Sequence, residues 1–438
     1  MIRSITIKDF KSYDEATLSL APLTFLIGAN ASGKSNALEA IRLLSWLAKG
    51  RRLDDIDRRV QGEDRFIRGQ SAELFFNRTV PISLSCTLTD MPEEWDKLSL
   101  SIGMFPDKLI VIDEAIAKSD PAEQIPLYKI DGDPSLYTDE VSVMYNNFSQ
   151  DPSEPHIPCS NQQAIFYQLQ SPGRFEEKHH HSQKIIPAVT KRVRETLRQI
   201  VFLDPRPTVM RGYSLANPAE LEEDGSNLSS VLHRICSDQE NGKALLLDFI
   251  RSLPEQDISD ITFIETPRGE VMVSLVELFG GWRSEIAAPL LSDGTLRVLS
   301  VAAALLSAPK GSLVIIEEID NGVHPSRADM LVRQIQKVAK DRNLRVLLTT
   351  HNPALLDSLP DNALGDVLCC YRDEETGYSR IVRLGDMDQY PELIARGTLG
   401  ELVTNRTLDR YLKDRQSPED RKQRALQFLK EFRQEFSG

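Results

Sequence analysis

The chain has 438 residues, 41% of them apolar, and carries 52 basic against 65 acidic side chains for a formal net charge of −13. That length accommodates two or three domains with a real core, which excludes a disordered chain, and the acidic balance opposes nonspecific adhesion to phosphate backbones, so a nucleic-acid role would have to rest on local geometry. No apolar run approaches the roughly 20 residues of a membrane helix, the first residues lack the basic-then-apolar order of a secretory signal, and five cysteines without C-x-x-C spacing favour neither disulfides nor zinc, so reduced thiols in a cytoplasmic chain are expected.

Residues 2–10 alternate apolar and polar side chains, as a half-buried strand does, and residues 11–14 make a turn before a second strand-like run at 16–20. The pair reads as an antiparallel edge preceding the short apolar strand 23–27. Residues 28–35, GANASGKS, follow that strand and fit G-x-x-x-x-G-K-[ST]; residues 35–46 then place Leu38, Ile41 and Leu44 at helical spacing. Strand, glycine loop and helix in this order make a P-loop. Loop amides and the positive end of the helix cradle phosphate, Lys34 adds a point charge and the Ser35 hydroxyl can ligate magnesium. Gly28, Asn30, Ala31, Ser32, Gly33, Lys34, Ser35 and Asn36 are the expected contacts to ATP and Mg2+.

Residues 51–83 are charged and irregular, and residues 90–202 mix strand-like runs such as 108–113 with prolines and acids, which reads as a compact inserted lobe. Sustained heptads are absent, so no coiled-coil arm is expected. His179, His180 and His181 read as a solvated loop without metal-ligand spacing. Helical spacing resumes at 187–200, where Arg192, Arg194 and Arg198 make a basic stripe interrupted by Glu195 and lacking aromatic stacking partners; direct DNA contact there stays open. A capped helix start is expected at 225–232.

The second half returns to alternating strands and helices, the signature of a largely parallel sheet covered by helices: 313–316 strand, 326–341 helix, 344–350 strand and 366–371 strand. Two acids, Glu317 and Glu318, stand at the carboxyl end of the first of these strands, where ligands sit in open α/β sheets. This is the place of a Walker B motif, with Glu317 organising magnesium and Glu318 orienting and deprotonating the attacking water. Glutamate replaces the commoner aspartate at the first position. From residue 406 onward the chain is charged and helical in pattern, with Ser417 as an N-cap and Leu426, Leu429, Phe432 and Phe436 as a partial apolar stripe suited to packing on the domain.

Further segments fall in a telling order: LSDGTLR at 291–297, DNGVHP at 320–325, THNP at 350–353 and DFKS at 9–12, with FLDPRP at 202–207 and DGSNL at 224–228 as connecting segments. Together with the P-loop and the paired acids they resemble ATP-binding-cassette ATPases of the RecF, SMC and OLD-like branch, including the AAA_21-like bacterial ATPases. The resemblance implies an α/β fold, a P-loop NTPase head of the ABC type with a mixed sheet and flanking helices. The head is split: residues 1–50 form its first part, 51–200 the insertion, 201–405 its second part and 406–438 a helical tail.

It also implies roles. Ser292 and Gly294 match the signature motif, which contacts the γ-phosphate of nucleotide held by the opposite subunit, although Asp293 and Thr295 depart from LSGGQ. His351 matches the switch histidine at the γ-phosphate. Lys11 matches a basic residue that approaches the phosphates, and His324 a packing residue of the D-loop. The implied assembly is a homodimer or higher homo-oligomer that closes head-to-tail around ATP and reopens on hydrolysis. The implied role is a sensor in antiphage defence that controls a separately encoded nuclease or toxin. A RecF-like or SMC-like DNA repair clamp and an ATP-dependent assembly scaffold are the alternatives, and a transporter subunit fits less well. No TOPRIM-like acid cluster follows His351, so no built-in nuclease is expected, and no Q-loop glutamine is assigned among Gln162, Gln163 and Gln168.

Overall fold

The computed structural model describes residues 1–56, 67–77, 79–105, 107–120, 125–133, 138–149, 154–216, 220–238, 241–251, 257–319 and 325–413. Eight strands form an antiparallel sheet in the order β2-β1-β4-β5-β6-β7-β8-β9: β1 (Ile2–Phe10), β2 (Tyr13–Ser19), β4 (Ile82–Leu88), β5 (Lys97–Phe105), β6 (Lys108–Ala117), β7 (Tyr128–Asp131), β8 (Glu140–Tyr145) and β9 (His156–Ser160). Alternation dictates which face is buried; in β4, Ile82, Leu84, Cys86 and Leu88 point inward and the serines and threonine between them outward. β4 pairs the open side of β1, with Ile5 opposite Cys86. Strands drawn from residues 51–200 therefore share a sheet and a core with the first 20 residues. The reason is physical: β1 has a second edge to satisfy, and β4 fills it.

Six strands form the second sheet, in the order β10-β15-β16-β3-β17-β18: β10 (Val201–Leu203), β15 (Leu313–Ile316), β16 (Arg345–Thr349), β3 (Leu23–Ile27), β17 (Leu368–Arg372) and β18 (Ser379–Arg383). Its first five strands are parallel and β18 closes the edge antiparallel to β17. Both faces are covered, as parallel sheets require. Leu26, Ile315, Leu347 and Leu368 face a core shared with α1 (Lys34–Ala48), α2 (His180–Arg198) and the antiparallel sheet. The alternate residues Phe25, Ile27, Val314, Ile316, Val346 and Leu348 face the other way, onto α3 (Leu228–Asp238), α4 (Gly242–Arg251), α5 (Asp293–Ser307) and α6 (Pro325–Asp341). A third, smaller sheet gathers β12 (Ile258–Glu265), β13 (Glu270–Phe279) and β14 (Trp282–Ala287) with the two-residue β11 (Ser214–Leu215).

The histidine run is not a solvated loop. His180 opens α2, and His179 at its N-cap is 7% exposed, its Nδ1 2.8 Å from the Tyr145 hydroxyl. The helix starts seven residues ahead of the expected residue 187 and carries Pro187 in its interior. After α7 (Leu399–Thr404) comes α8 (Thr407–Lys413); Ser417 and the apolar stripe of the tail lie outside the described residues, as do Asp320 to His324. Among the described residues no helix is long and apolar enough to cross a membrane.

Candidate nucleotide site at the carboxyl ends of the parallel strands

Strand order decides what meets at the top of the parallel sheet. β15, β16 and β3 are neighbours, so the segments that leave them, Glu317-Glu318, Thr350-His351 and the loop 28–33, emerge side by side. The loop needs its two end glycines. Gly28 has φ +152° and Gly33 φ +120°, and a Cβ on Gly28 would run into the Cys370 carbonyl and lie 2.8 Å from Ser32 Oγ, while one on Gly33 would collide with Ser379 Oγ.

The carbonyls of the loop are tied back to a scaffold beneath it. Arg372 Nε donates to the Ala31 carbonyl at 3.2 Å, Ser379 Oγ to Ser32 at 2.6 Å, Cys370 Sγ to Ser32 at 3.3 Å and the Tyr13 hydroxyl to Gly33 at 3.0 Å. In a trans peptide the N–H opposes the C=O, so the amides of Gly33 and Lys34 face away from that scaffold. A cradle of outward amides at a helix start is what a phosphate needs. Lys34 Nζ meanwhile donates to the carbonyls of Gly28 at 2.5 Å and Ala29 at 3.1 Å. Burial lowers its pKa, and nearby Cys370 and Glu318 pull it back up. Ser35 follows on the first turn of α1, exposed. Asn36 Nδ2 donates to Ser12 Oγ at 2.8 Å, and Ser12 Oγ lies 2.8 Å from Ser379 Oγ, so the turn after β1 is locked into the same assembly.

Lys11 is placed differently from its sequence expectation. Its ammonium pairs with Glu39, five residues along α1 from Lys34, and donates to the Arg68 carbonyl at 2.8 Å. Glu39 is 5% exposed and also takes Arg68 Nε at 2.5 Å, so this lysine neutralises a buried acid. Of the DFKS turn it is Ser12, not Lys11, that touches the loop assembly.

Glu317 is held at the end of β15 by its own N–H, which donates to Leu203 of β10 at 2.8 Å. Its carboxylate pairs with Arg42, which also takes Glu223 and lies 4.8 Å from the centre of the Phe202 ring. Arg42 is seven residues beyond Ser35 and thus on the same face of α1. Burial raises the Glu317 pKa, Arg42 opposes that, and Asp204 and Glu223 add to it. Glu318 sits at φ +47°, with its N–H donating to Thr349 Oγ1 at 2.9 Å, which fixes the turn out of β15 against the end of β16. A non-glycine residue in that region marks backbone constrained by its surroundings.

His351 follows Thr350, whose Oγ1 accepts from Asn352 N at 3.1 Å; Asn352 in turn caps the helix Pro353–Asp357. His351 lines a cavity of about 360 Å3 with Gly28, Ala29, Thr350, Cys370 and Arg406. Ser292 is the N-cap of α5, its Oγ accepting from Thr295 N at 3.1 Å, and Gly294 lies in the first turn. That segment is held by Arg211, whose Nη1 donates to the carbonyls of Pro289 at 3.0 Å and Leu291 at 2.6 Å. The three glutamines have structural partners: Gln162 Nε2 donates to Leu109, Gln163 Nε2 to Gly50 at the end of α1, and Gln168 accepts from Ser160 N.

Sequence reasoning missed Tyr13, Cys370, Ser379, Arg42 and Arg211. None has a local motif; each acts through a partner far away in the chain. The donor set suits magnesium, since the Ser35 hydroxyl and the Glu317 carboxylate are hard oxygens with Asp204 alongside. Among the described residues there is no cluster of three or more His, Cys, Asp or Glu that could hold a metal by itself.

Two family models match the chain. "AAA ATPase domain" covers residues 1–186, which include the loop, and "AAA domain, putative AbiEii toxin, Type IV TA system" covers residues 143–357, which include Ser292, Glu317, Glu318 and His351. The DNA replication and repair protein RecF of Leptospira interrogans is 33% identical over 132 residues, 28% of this chain and 36% of the relative. The matched part thus spans about a third of that relative's length. The "Retron Vc95 probable ATPase" of Vibrio cholerae is 22% identical over 391 residues, 82% of this chain and 71% of the relative. An SMC head crystallised with the C-winged helix domain of ScpA aligns over 87% of this chain and 96% of its own at 12% identity, with a TM-score of 0.47.

Proposed function

We propose that this chain, which is similar to AAA-type P-loop ATPases and to RecF, hydrolyses ATP in a composite site, closing head-to-tail with a second copy and using that closure to control a partner protein. The observation that carries this reading is the adjacency of three strand ends, which brings the loop, the paired acids and His351 to one place while Ser292 and Gly294 stand on the N-terminus of another helix.

Each residue has a task that follows from its setting. The amides of Gly33 and Lys34, with those of Gly28, Asn30 and Ala31 in the same loop, receive phosphate oxygens, while the Ser32 amide, which donates to the Ala29 carbonyl at 3.2 Å, and Lys34, which donates to those of Gly28 and Ala29, exchange these carbonyls for them. Asn36 keeps the loop in register through Ser12. Ser35 and Glu317 supply oxygens to the ion, which neutralises charge on the phosphates when bound. Glu318 takes the proton of the attacking water, and His351 donates a hydrogen bond to the terminal phosphate. Ser292 and Gly294 present a helix N-terminus to the nucleotide of the other copy.

Size-exclusion mass analysis of the wild type and Glu318→Gln with ATP and magnesium tests the reading. Accumulation of an ATP-dependent dimer by the variant supports it; binding of nucleotide without any change in mass by either protein removes the roles of Ser292, Gly294 and His351.

The similarity to the retron ATPase over most of both chains favours antiphage defence, with a separately encoded nuclease or toxin as the controlled partner. Co-expression with the neighbouring genes followed by phage challenge decides this: an effector that is toxic alone and silenced by this chain supports it. The similarity to RecF favours a second reading, a DNA repair clamp, for which salt-sensitive stimulation of hydrolysis by DNA, without an effector, is the expected outcome.

A further inference from the structure

The signature segment departs from the family pattern by placing an acid, Asp293, between Ser292 and Gly294. An acid in the first turn of a helix interacts well with the helix dipole, but in a segment meant to face a polyphosphate it presents like charge to the ligand. The structure supplies the answer to that conflict. Arg211 Nη2 meets Asp293 Oδ1 at 2.5 Å, and its Nη1 gathers the carbonyls of Ala288, Pro289 and Leu291 at 3.3, 3.0 and 2.6 Å. One guanidinium therefore neutralises the acid and draws three carbonyl oxygens of the approach to α5 toward itself, the groups that would repel an anion.

The exposure of the pair argues against a role in stability. The Asp293 side chain is 64% exposed and that of Arg211 30%, and ion pairs so open to water contribute little to folding. What the pair determines is the electrostatic character of the surface around Ser292 and Gly294. Arg211 reaches it from the turn after the short helix Pro207–Met210, just beyond the connecting segment 202–207.

We propose that Arg211 is the positioning residue of the signature segment: by pairing Asp293 and collecting the preceding carbonyls it leaves the N-terminus of α5 able to accept the terminal phosphate of a nucleotide bound by a second copy of this chain. This rests on the composite-site reading above. Arg211 touches no reacting atom in it and acts through Asp293 and the backbone.

The test is ATP-dependent association in the Glu318→Gln parent, measured by mass in the presence of magnesium, for Arg211→Met, Arg211→Lys and Arg211→Met combined with Asp293→Asn. Binding of a fluorescent ATP analogue and the thermal midpoint are recorded beside it. Arg211→Met is expected to weaken association at least tenfold with analogue affinity and midpoint unchanged. Arg211→Lys, which retains the charge, is expected to keep most of the association, and removing the Asp293 charge in the double variant is expected to recover most of what Arg211→Met loses. Undiminished association of Arg211→Met, or a double variant no better than Arg211→Met, overturns the inference while the composite site stands. Failure of the Glu318→Gln parent itself to associate overturns the composite-site reading and this inference together.

Discussion

In the antiparallel sheet, the Glu114 carboxylate is fully buried and accepts from the Tyr128 hydroxyl and from the N–H groups of Ile165 and Phe166, each at 2.7 Å. At the end of β15 in the parallel sheet, Glu317 keeps 22% of its side chain exposed and shares one arginine with Glu223. The first acid is a fastener: its three donors come from β7 and from the short helix Ile165–Gln168, so losing it loosens three pieces of chain. The second is held by a cation that has another carboxylate to fall back on, so its partner can change at modest cost. Burial with fixed donors builds structure, whereas partial burial with a shared donor leaves chemistry available.

The largest expected effect breaks this comparison on its chemical side. Glu318→Gln should lower ATP turnover by about 10²- to 10⁴-fold, the usual worth of a general base, while nucleotide binding and the melting midpoint stay as they are; phosphate release and analogue fluorescence measure the two. On the structural side, Glu114→Ala should cost on the order of 3 kcal/mol in urea denaturation, because it orphans buried donors, with ATP binding per folded molecule unchanged. Arg42→Met probes the shared cation. It should cost about 2 kcal/mol, less than a fully buried pair, since the Glu223 side chain is 45% exposed.

A pH titration sharpens the contrast further. Burial pushes the Glu114 carboxyl up to about 7, against the pull of its three hydrogen bonds. A raised pKa means that the native state holds the proton more tightly than the unfolded chain. The stability this group adds is therefore complete below its ordinary value of 4.5 and lost as pH rises through about 7. The wild-type melting midpoint should fall more steeply between pH 5 and 8 than that of Glu114→Gln; parallel slopes would show that the group does not titrate there. The smallest effect is expected at Trp282, 83% exposed on β14. Trp282→Ser should change stability by less than about 0.5 kcal/mol.

What could be read from the sequence was whatever is local. The loop, the acids after 313–316 and the segment at 350–353 each carry their own pattern, and their order along the chain matches three strands that the fold sets side by side. Partnerships across the chain left no such trace. Tyr13 reads as a turn residue, Cys370 as an ordinary strand residue and Ser379 carries no pattern of its own until β17 and β18 come under the loop. Glu114 was hidden because the strand-like run read at 108–113 stops one residue short of it, whereas β6 continues to Ala117 and turns that side chain inward. The histidines were misread for a related reason: three polar residues in a row suggest solvent, and only Tyr145, 34 positions away, explains the burial of His179.

The scaffold under the phosphate loop has a bearing on when the protein can first work. Ser32 and Ser379 are 347 positions apart, a stretch that a ribosome needs roughly 20 to 70 s to add at about 5–20 residues per second. Throughout that interval the nascent chain displays the GANASGKS motif without the hairpin of β17 and β18 that turns its carbonyls away. An unfinished or prematurely terminated product therefore carries the motif without the hydrogen bonds from Cys370 and Ser379 that turn its carbonyls away. For a protein proposed to restrain something toxic, that delay separates copies with the motif alone from copies with the complete scaffold.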